Sequence, residues 1–173
     1  MKKIKQQSNK PIVLIGMMGA GKTTVGERLS KKLELSWIDT DRSIESTSEQ
    51  DIPEIFEIYG EQYFRQLESE ALIHALAHAQ VISSGGGMVT IDQNHQRLKD
   101  AHVIYLKAKI ETLVGRLSAT DRPLLKNVDV HGKLTDLLRV RSDLYEKSAD
   151  LIVETDDLSP SEVVTEIEKK LSS

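Results

Sequence analysis

Five short apolar runs recur along the chain, and after each the apolar residues fall three or four positions apart. The runs are residues 11–15, 35–38, 81–84, 103–106 and 151–153, and their length and polar flanks predict buried strands. Val25, Leu29 and Leu33 are spaced for one face of a helix over 24–33. Phe64, Leu67, Ala71 and Ala75 do the same for 61–79, and Ile110, Leu113, Val114 and Leu117 for the stretch after the fourth run. Leu134, Leu137, Leu138, Val140 and Leu144 mark another helix, and 92–99 a shorter one. Pro53 near its start and Gly60 after its end bracket a short helix from residue 52. Ser159-Pro160-Ser161-Glu162 has the form of a capping box and opens a terminal helix through Leu171. Residues 42–51 are polar and weakly helical; residues 1–10 read as a frayed end, and 118–132 as an irregular, mobile loop.

Apolar strands alternating with helices predict an α/β fold, a parallel sheet covered on both faces. In such sheets ligands sit off the carboxyl ends of the strands, and three motifs collect there. The first strand runs into Gly16-Met17-Met18-Gly19-Ala20-Gly21-Lys22-Thr23, and a helix follows. Strand, glycine loop and helix form the setting of a phosphate-binding P-loop. Glycines let the amides of Gly19, Ala20, Gly21, Lys22, Thr23 and Thr24 turn inward on an anion, and the helix start adds its positive dipole end. Lys22 would reach the β- and γ-phosphates, and the Thr23 hydroxyl would ligate magnesium. These residues predict an ATP or GTP site; the chain carries no guanine-reading Asn-Lys-x-Asp motif, which argues against a GTPase-like switch.

Composition narrows the setting. The 173 residues suit one compact domain, and 39% hydrophobic residues suffice for a core. A net charge of -4 leaves no broad basic face for nucleic acid. With no cysteines, disulfides and thiolate metal sites are excluded. The basic start Met1-Lys2-Lys3-Ile4-Lys5 lacks the apolar run of a secretory signal, and no segment is apolar enough to span a membrane. The expected location is the cytoplasm.

The second strand ends in Asp39-Thr40-Asp41, and on an extended segment the two carboxylates point the same way. An acidic turn or helix cap is the plainer reading, but the neighbouring P-loop favours chemistry. Asp41 is expected to engage an acceptor hydroxyl, and Asp39 to support the metal through water. At the end of the third strand Gly85-Gly86-Gly87 permits close approach of backbone to a ligand. Arg65, with Glu68 three residues on, and Arg141, with Arg139 beside it, have two readings each: a helix-surface ion pair, or a bidentate grip on carboxylate or phosphate. Spacing does not choose between them. Arg116 and Arg122 bracket the polar loop, where an arginine is either a solvated charge or a lid over the transferring phosphate. His74 and His78 are four apart on a helix but lack a third ligand, so they are assigned to packing, as is Trp37.

Taken together, the motifs resemble the shikimate kinase family. The P-loop with Thr24-Val25-Gly26, Asp39-Thr40-Asp41, Ile52-Pro53-Glu54-Ile55-Phe56 and Phe64-Arg65-Gln66-Leu67-Glu68 occur in that family's order. Gly85-Gly86-Gly87, Arg122-Pro123-Leu124-Leu125 and Arg141-x-x-Leu144-Tyr145 complete the series over nearly the whole chain. The resemblance implies a three-layer α/β/α fold with a central five-stranded parallel sheet, like the P-loop nucleoside monophosphate kinases. It implies transfer of the ATP γ-phosphate to the 3-hydroxyl of shikimate, with one magnesium ion, in the pathway to aromatic amino acids. Asp41 would bind the acceptor hydroxyl, Arg65 and Arg141 the shikimate carboxylate, and the Gly86 backbone the substrate. Thr23 would ligate magnesium, with Asp39 acting through water; Lys22 and the lid arginine Arg122 would reach the phosphates, and Arg116 would lie near the adenine. The substrate-binding segment maps to about residues 40–70 and the lid to about 117–128, on a chain expected to be monomeric. The loop 155–159 would back the adenine. Thr23 stands where the family often has serine, which keeps the hydroxyl, and Asp143 where proline is frequent, a carboxylate able to pair with Arg141 or Arg139. Related kinases acting on gluconate or on nucleoside monophosphates, and a non-catalytic nucleotide-binding module, are the competing readings.

Overall fold

The computed structural model describes residues 10–118 and 129–172. Arg122 and nearly all of the expected lid lie outside the described residues, as do residues 1–9. Five strands, β1 (Ile12–Ile15), β2 (Trp37–Asp39), β3 (Val81–Ser83), β4 (His102–Lys107) and β5 (Leu151–Glu154), form one sheet in the order β2-β3-β1-β4-β5. Every pairing is parallel. Successive strand side chains point to opposite faces, and all four residues of β1 are buried, so helices must cover both faces of the sheet. Each fully buried Leu or Ile on this strand contributes about 1.5–3 kcal/mol of transfer free energy.

The helices are α1 (Lys22–Leu33), α2 (Thr40–Ser48), α3 (Ile52–His78), α4 (Asp92–Leu98), α5 (Ile110–Ser118), α6 (Val130–Ser148) and α7 (Pro160–Leu171), with a 3-10 turn at Met88–Thr90. The expected capping box of α7 forms: the Ser159 amide donates to Glu162 and the Glu162 amide to the Ser159 hydroxyl. Asp51 and Glu54 make a second box at the start of α3. Leu29, Leu72, Leu113 and Ile167 carry α1, α3, α5 and α7 into the main core. A separate small core of Ile44, Ile55, Phe64 and Ala71 ties α2 to α3.

Two local expectations change, and one at Gly60 is met. Residues 39–41 are not an extended segment, because α2 begins at Thr40 directly after β2. The short helix from residue 52 ends at Gly60 as expected: at φ 80° and ψ 175°, a backbone conformation essentially restricted to glycine, Gly60 is the non-helical kink between the two helical segments of α3. Residues 130–132 are the first turn of α6 rather than loop, because the Asp129 carboxylate caps it by accepting from the Gly132 amide at 2.9 Å.

Candidate active site

The P-loop leaves β1 at Gly16 and enters α1 at Lys22, with Gly19 and Gly21 in the left-handed region that turns successive amides to one side. The Lys22 ammonium donates to the carbonyls of Gly16 and Met17, both at 2.8 Å. Burial lowers its pKa to about 8, against the pull of Asp41 and Asp39. Register places Asp39 opposite Ser83, at the carboxyl end of the sheet. One Asp39 oxygen caps α2, accepting from the amides of Asp41 and Arg42, and the other accepts from the Thr23 hydroxyl at 2.6 Å. The carboxylate that caps α2 is therefore the same one that faces Thr23 of the P-loop, so a helix cap and a place beside the P-loop do not compete.

Asp41 is the second residue of α2, and its Oδ1 is buried without a hydrogen-bond partner among the described residues. Burial raises its pKa to about 6, with Lys22 pulling the other way and Asp39 and Glu68 adding to the rise. A buried acceptor with no partner is costly, and such groups concentrate where chemistry is done.

Gly85, Gly86 and Gly87 each face a different part of this edge. A Cβ on Gly85 would stand 2.6 Å from Asp41 Oδ1 and against Glu68; one on Gly87 would collide with the Arg65 guanidinium. One on Gly86 would lie 3.5 Å from the Gly16 carbonyl and 3.7 Å from Arg141. The close approach foreseen for this run is thus seen at Gly85 and Gly87, while a Cβ on Gly86 would make only ordinary contacts. The Gly85 amide donates to the Thr40 hydroxyl at 2.9 Å, fixing the turn to α2.

Arg65 is half-buried and paired with both Glu68 and the more exposed Glu61. Burial works against its charge, yet Glu68 and Glu61 hold its pKa above the ordinary value. Glu68 is only 2% exposed; burial pushes its carboxyl up, opposed by Arg65, Arg141 and the Gly87 amide. Arg65 thus makes the ion pair within α3 that the spacing allowed, and its guanidinium lies against the glycine turn at Gly87. Arg141 is buried on α6, while Arg139 is exposed. Asp143 is exposed, and among the described residues no ion pair joins it to either arginine. Arg116 reaches across from α5 to the Thr155 hydroxyl and carbonyl, at 3.0 and 2.5 Å, and touches the Ala20 carbonyl at 3.5 Å. It thereby ties the loop after β5 to the P-loop. His74 and His78 stack on each other, and the described residues hold no cluster able to bind a metal through three His, Cys, Asp or Glu.

Some supporting contacts were not assigned from the sequence, although Tyr145 stands in the Arg141-x-x-Leu144-Tyr145 motif. Ser83 donates to the Lys22 carbonyl, Ser84 to the Leu14 carbonyl, and Tyr145 to the Gly86 carbonyl. A Ser-Ser pair at a strand end and a tyrosine four residues after Arg141 were the available signals.

The family model for shikimate kinase matches residues 18–172. A shikimate kinase of Pseudomonas savastanoi pv. phaseolicola is 42% identical over 165 residues, covering 93% of this chain and 95% of its own. That of Thermodesulfovibrio yellowstonii is 42% identical over 164 residues, with 93% and 94% covered. The solved shikimate kinase from Acinetobacter baumannii in complex with shikimate superposes with a TM-score of 0.88 at 35% identity, covering 97% of this chain and 96% of that one. A deoxyadenosine kinase from M. mycoides with bound dATP, at 16% identity and a TM-score of 0.63, shares the fold.

Proposed function

The chain belongs to the shikimate kinase family, and we propose that the residues gathered at its sheet edge divide that family's reaction among them. The protein is an ATP-dependent kinase that transfers the γ-phosphate to the 3-hydroxyl of shikimate, giving shikimate 3-phosphate and ADP in aromatic amino acid biosynthesis. Little covalent work falls to the protein in such a transfer, so positioning and charge neutralisation supply most of the rate.

In this reading the amides of Gly19, Ala20, Gly21, Lys22, Thr23 and Thr24 hold the phosphates, and Lys22 exchanges its two carbonyl partners for phosphate oxygens. Asp41 receives the acceptor hydroxyl on its unpartnered Oδ1, orients it in line and accepts its proton. The observation that carries this assignment is that buried, unsatisfied oxygen beside the glycine turn. Arg65 and Arg141 approach the same turn and grip the shikimate carboxylate, with the Gly86 backbone against the substrate. Arg116 serves the adenine side, and Arg122, outside the described residues, the phosphates as a lid.

A divalent metal accompanies the nucleotide in this family, and we assign it to magnesium. The donor set fits: Thr23 spends its proton on Asp39, which turns an oxygen lone pair outward, and hydroxyl and carboxylate suit a hard cation. When bound, the ion neutralises charge on the β- and γ-phosphates. Residues 40–70 are taken as the substrate-binding segment and 117–128 as the lid of a single domain. A monomer in the cytoplasm completes the proposal; no helix among the described residues is long and apolar enough to cross a membrane. The test is ADP release with ATP and magnesium, offering shikimate, gluconate and a nucleoside monophosphate in parallel. Release with shikimate alone supports the assignment, and release with another acceptor voids the roles of Arg65 and Arg141.

A further inference from the structure

Tyr145 lies on α6 one turn beyond Arg141, so the two side chains share a face of the helix. The residue is wholly buried, and its ring stacks on Tyr105 of β4 with centroids 5.0 Å apart. Its hydroxyl donates to the Gly86 carbonyl at 2.5 Å and lies 3.7 Å from the Met17 sulfur in the P-loop. Three pieces of the site from distant parts of the sequence thus meet at one oxygen: the P-loop, the glycine turn and the helix that carries Arg141. The Gly86 carbonyl is part-buried, and Tyr145 supplies it with a hydrogen-bond partner. Gly86 in turn sits 3.7 Å from the Arg141 guanidinium, measured from the position a Cβ would take.

We propose that Tyr145 is a positioning residue for the acceptor half of the site, its hydroxyl holding the glycine turn and the Arg141 face of α6 in register against the P-loop. The proposal rests on the reading of Arg141 and Gly86 as acceptor contacts. Burial pushes the Tyr145 pKa up to about 12, with Arg141 beside it pulling down, so the hydroxyl stays protonated and able to donate throughout the working range. A tyrosine that merely fills the core would contribute through its ring, which phenylalanine preserves. A positioning hydroxyl contributes through the bond to Gly86, which phenylalanine deletes, taking that partner from a part-buried carbonyl.

The experiment compares Tyr145→Phe with Tyr105→Phe in the full chain, measuring kcat and KM for each substrate together with the melting temperature. Both variants keep the stacked rings, so both are expected to fold. In Tyr145→Phe the KM for shikimate should rise roughly tenfold, while KM for ATP and kcat stay within about twofold. Tyr105→Phe removes a hydroxyl from the neighbouring ring without touching Gly86 and should leave the KM for shikimate unchanged. An unaltered KM for shikimate in Tyr145→Phe would overturn the positioning role alone. So would an equal rise in both variants, or a loss of all parameters in step with the melting temperature. Absence of shikimate turnover in the unmodified chain would instead overturn the underlying reading, and the positioning role with it.

Discussion

The Thr23 hydroxyl donates to Asp39 Oδ2 across 2.6 Å, joining the first turn of α1 to the carboxyl end of β2. The same carboxylate spends its other oxygen on the first amides of α2, so both of its oxygens are committed. Asparagine has one acceptor oxygen, and the helix cap will keep it. The amide NH2 then faces Thr23 and turns the hydroxyl's lone pair away from the cation. Asp39→Asn should therefore raise the magnesium concentration needed for half-maximal activity by about tenfold, the scale typical of lost outer-shell partners. Its melting temperature should change little. An unaltered metal requirement would contradict the assignment of Asp39.

Two opposite displacements govern the pH dependence. In the proposed roles, Asp41, raised to about 6, has to be ionised to receive the hydroxyl proton, and Lys22, lowered to about 8, has to be charged to hold phosphate. In the free enzyme kcat/KM for shikimate should fall below about pH 6 and above about pH 8, and its acid limb should vanish in Asp41→Asn. The sign for stability follows from the same shifts. A folded pKa raised above the unfolded value gives stability that is present below about pH 4 and lost as pH rises through about 6. Lys22 acts in the reverse sense, its contribution lost as pH falls through about 8. Melting temperatures should thus match at pH 4 and favour Asp41→Asn over the unmodified chain at pH 7. A constant difference across that range would show that Asp41 is not displaced.

Gly60 and Gly115 predict opposite outcomes for one substitution. Neither has an atom within 4 Å of a would-be Cβ, so space decides nothing. Gly60 holds φ 80° inside α3, whereas Gly115 is an exposed residue of regular α5. Gly60→Ala should cost about 1–3 kcal/mol through backbone strain. Gly115→Ala should gain about 0.5–1 kcal/mol through helix propensity. Denaturant melts of the two variants measure both, and a neutral Gly60→Ala would mean the kink is not held in that conformation.

Much of this architecture was legible because its signals are local. The P-loop needs only eight consecutive residues after an apolar run, and the terminal capping box only four. The strands were visible as runs such as Val103-Ile104-Tyr105-Leu106 because parallel strands buried on both faces lack alternation. What escaped depended on context. Val130-His131-Gly132 resembles loop until Asp129 is seen capping it. Arg65 could not be assigned from spacing because its partner Glu68 serves equally for a surface pair and a buried brace. That Glu68 is buried and that the guanidinium lies beside Gly87 is visible only in the structure. The bond from Tyr145 to Gly86 spans 59 positions and has no local signature at all.

Whether Asp41 engages and deprotonates the acceptor hydroxyl is read from the turnover of Asp41→Asn under saturating shikimate and magnesium-ATP. Asparagine keeps the shape and removes the base, so kcat should fall by about 10²–10⁴ while the KM for ATP stays within about twofold. Near-normal turnover in that variant would contradict the account, because the buried oxygen on which it rests would then have no part in the transfer.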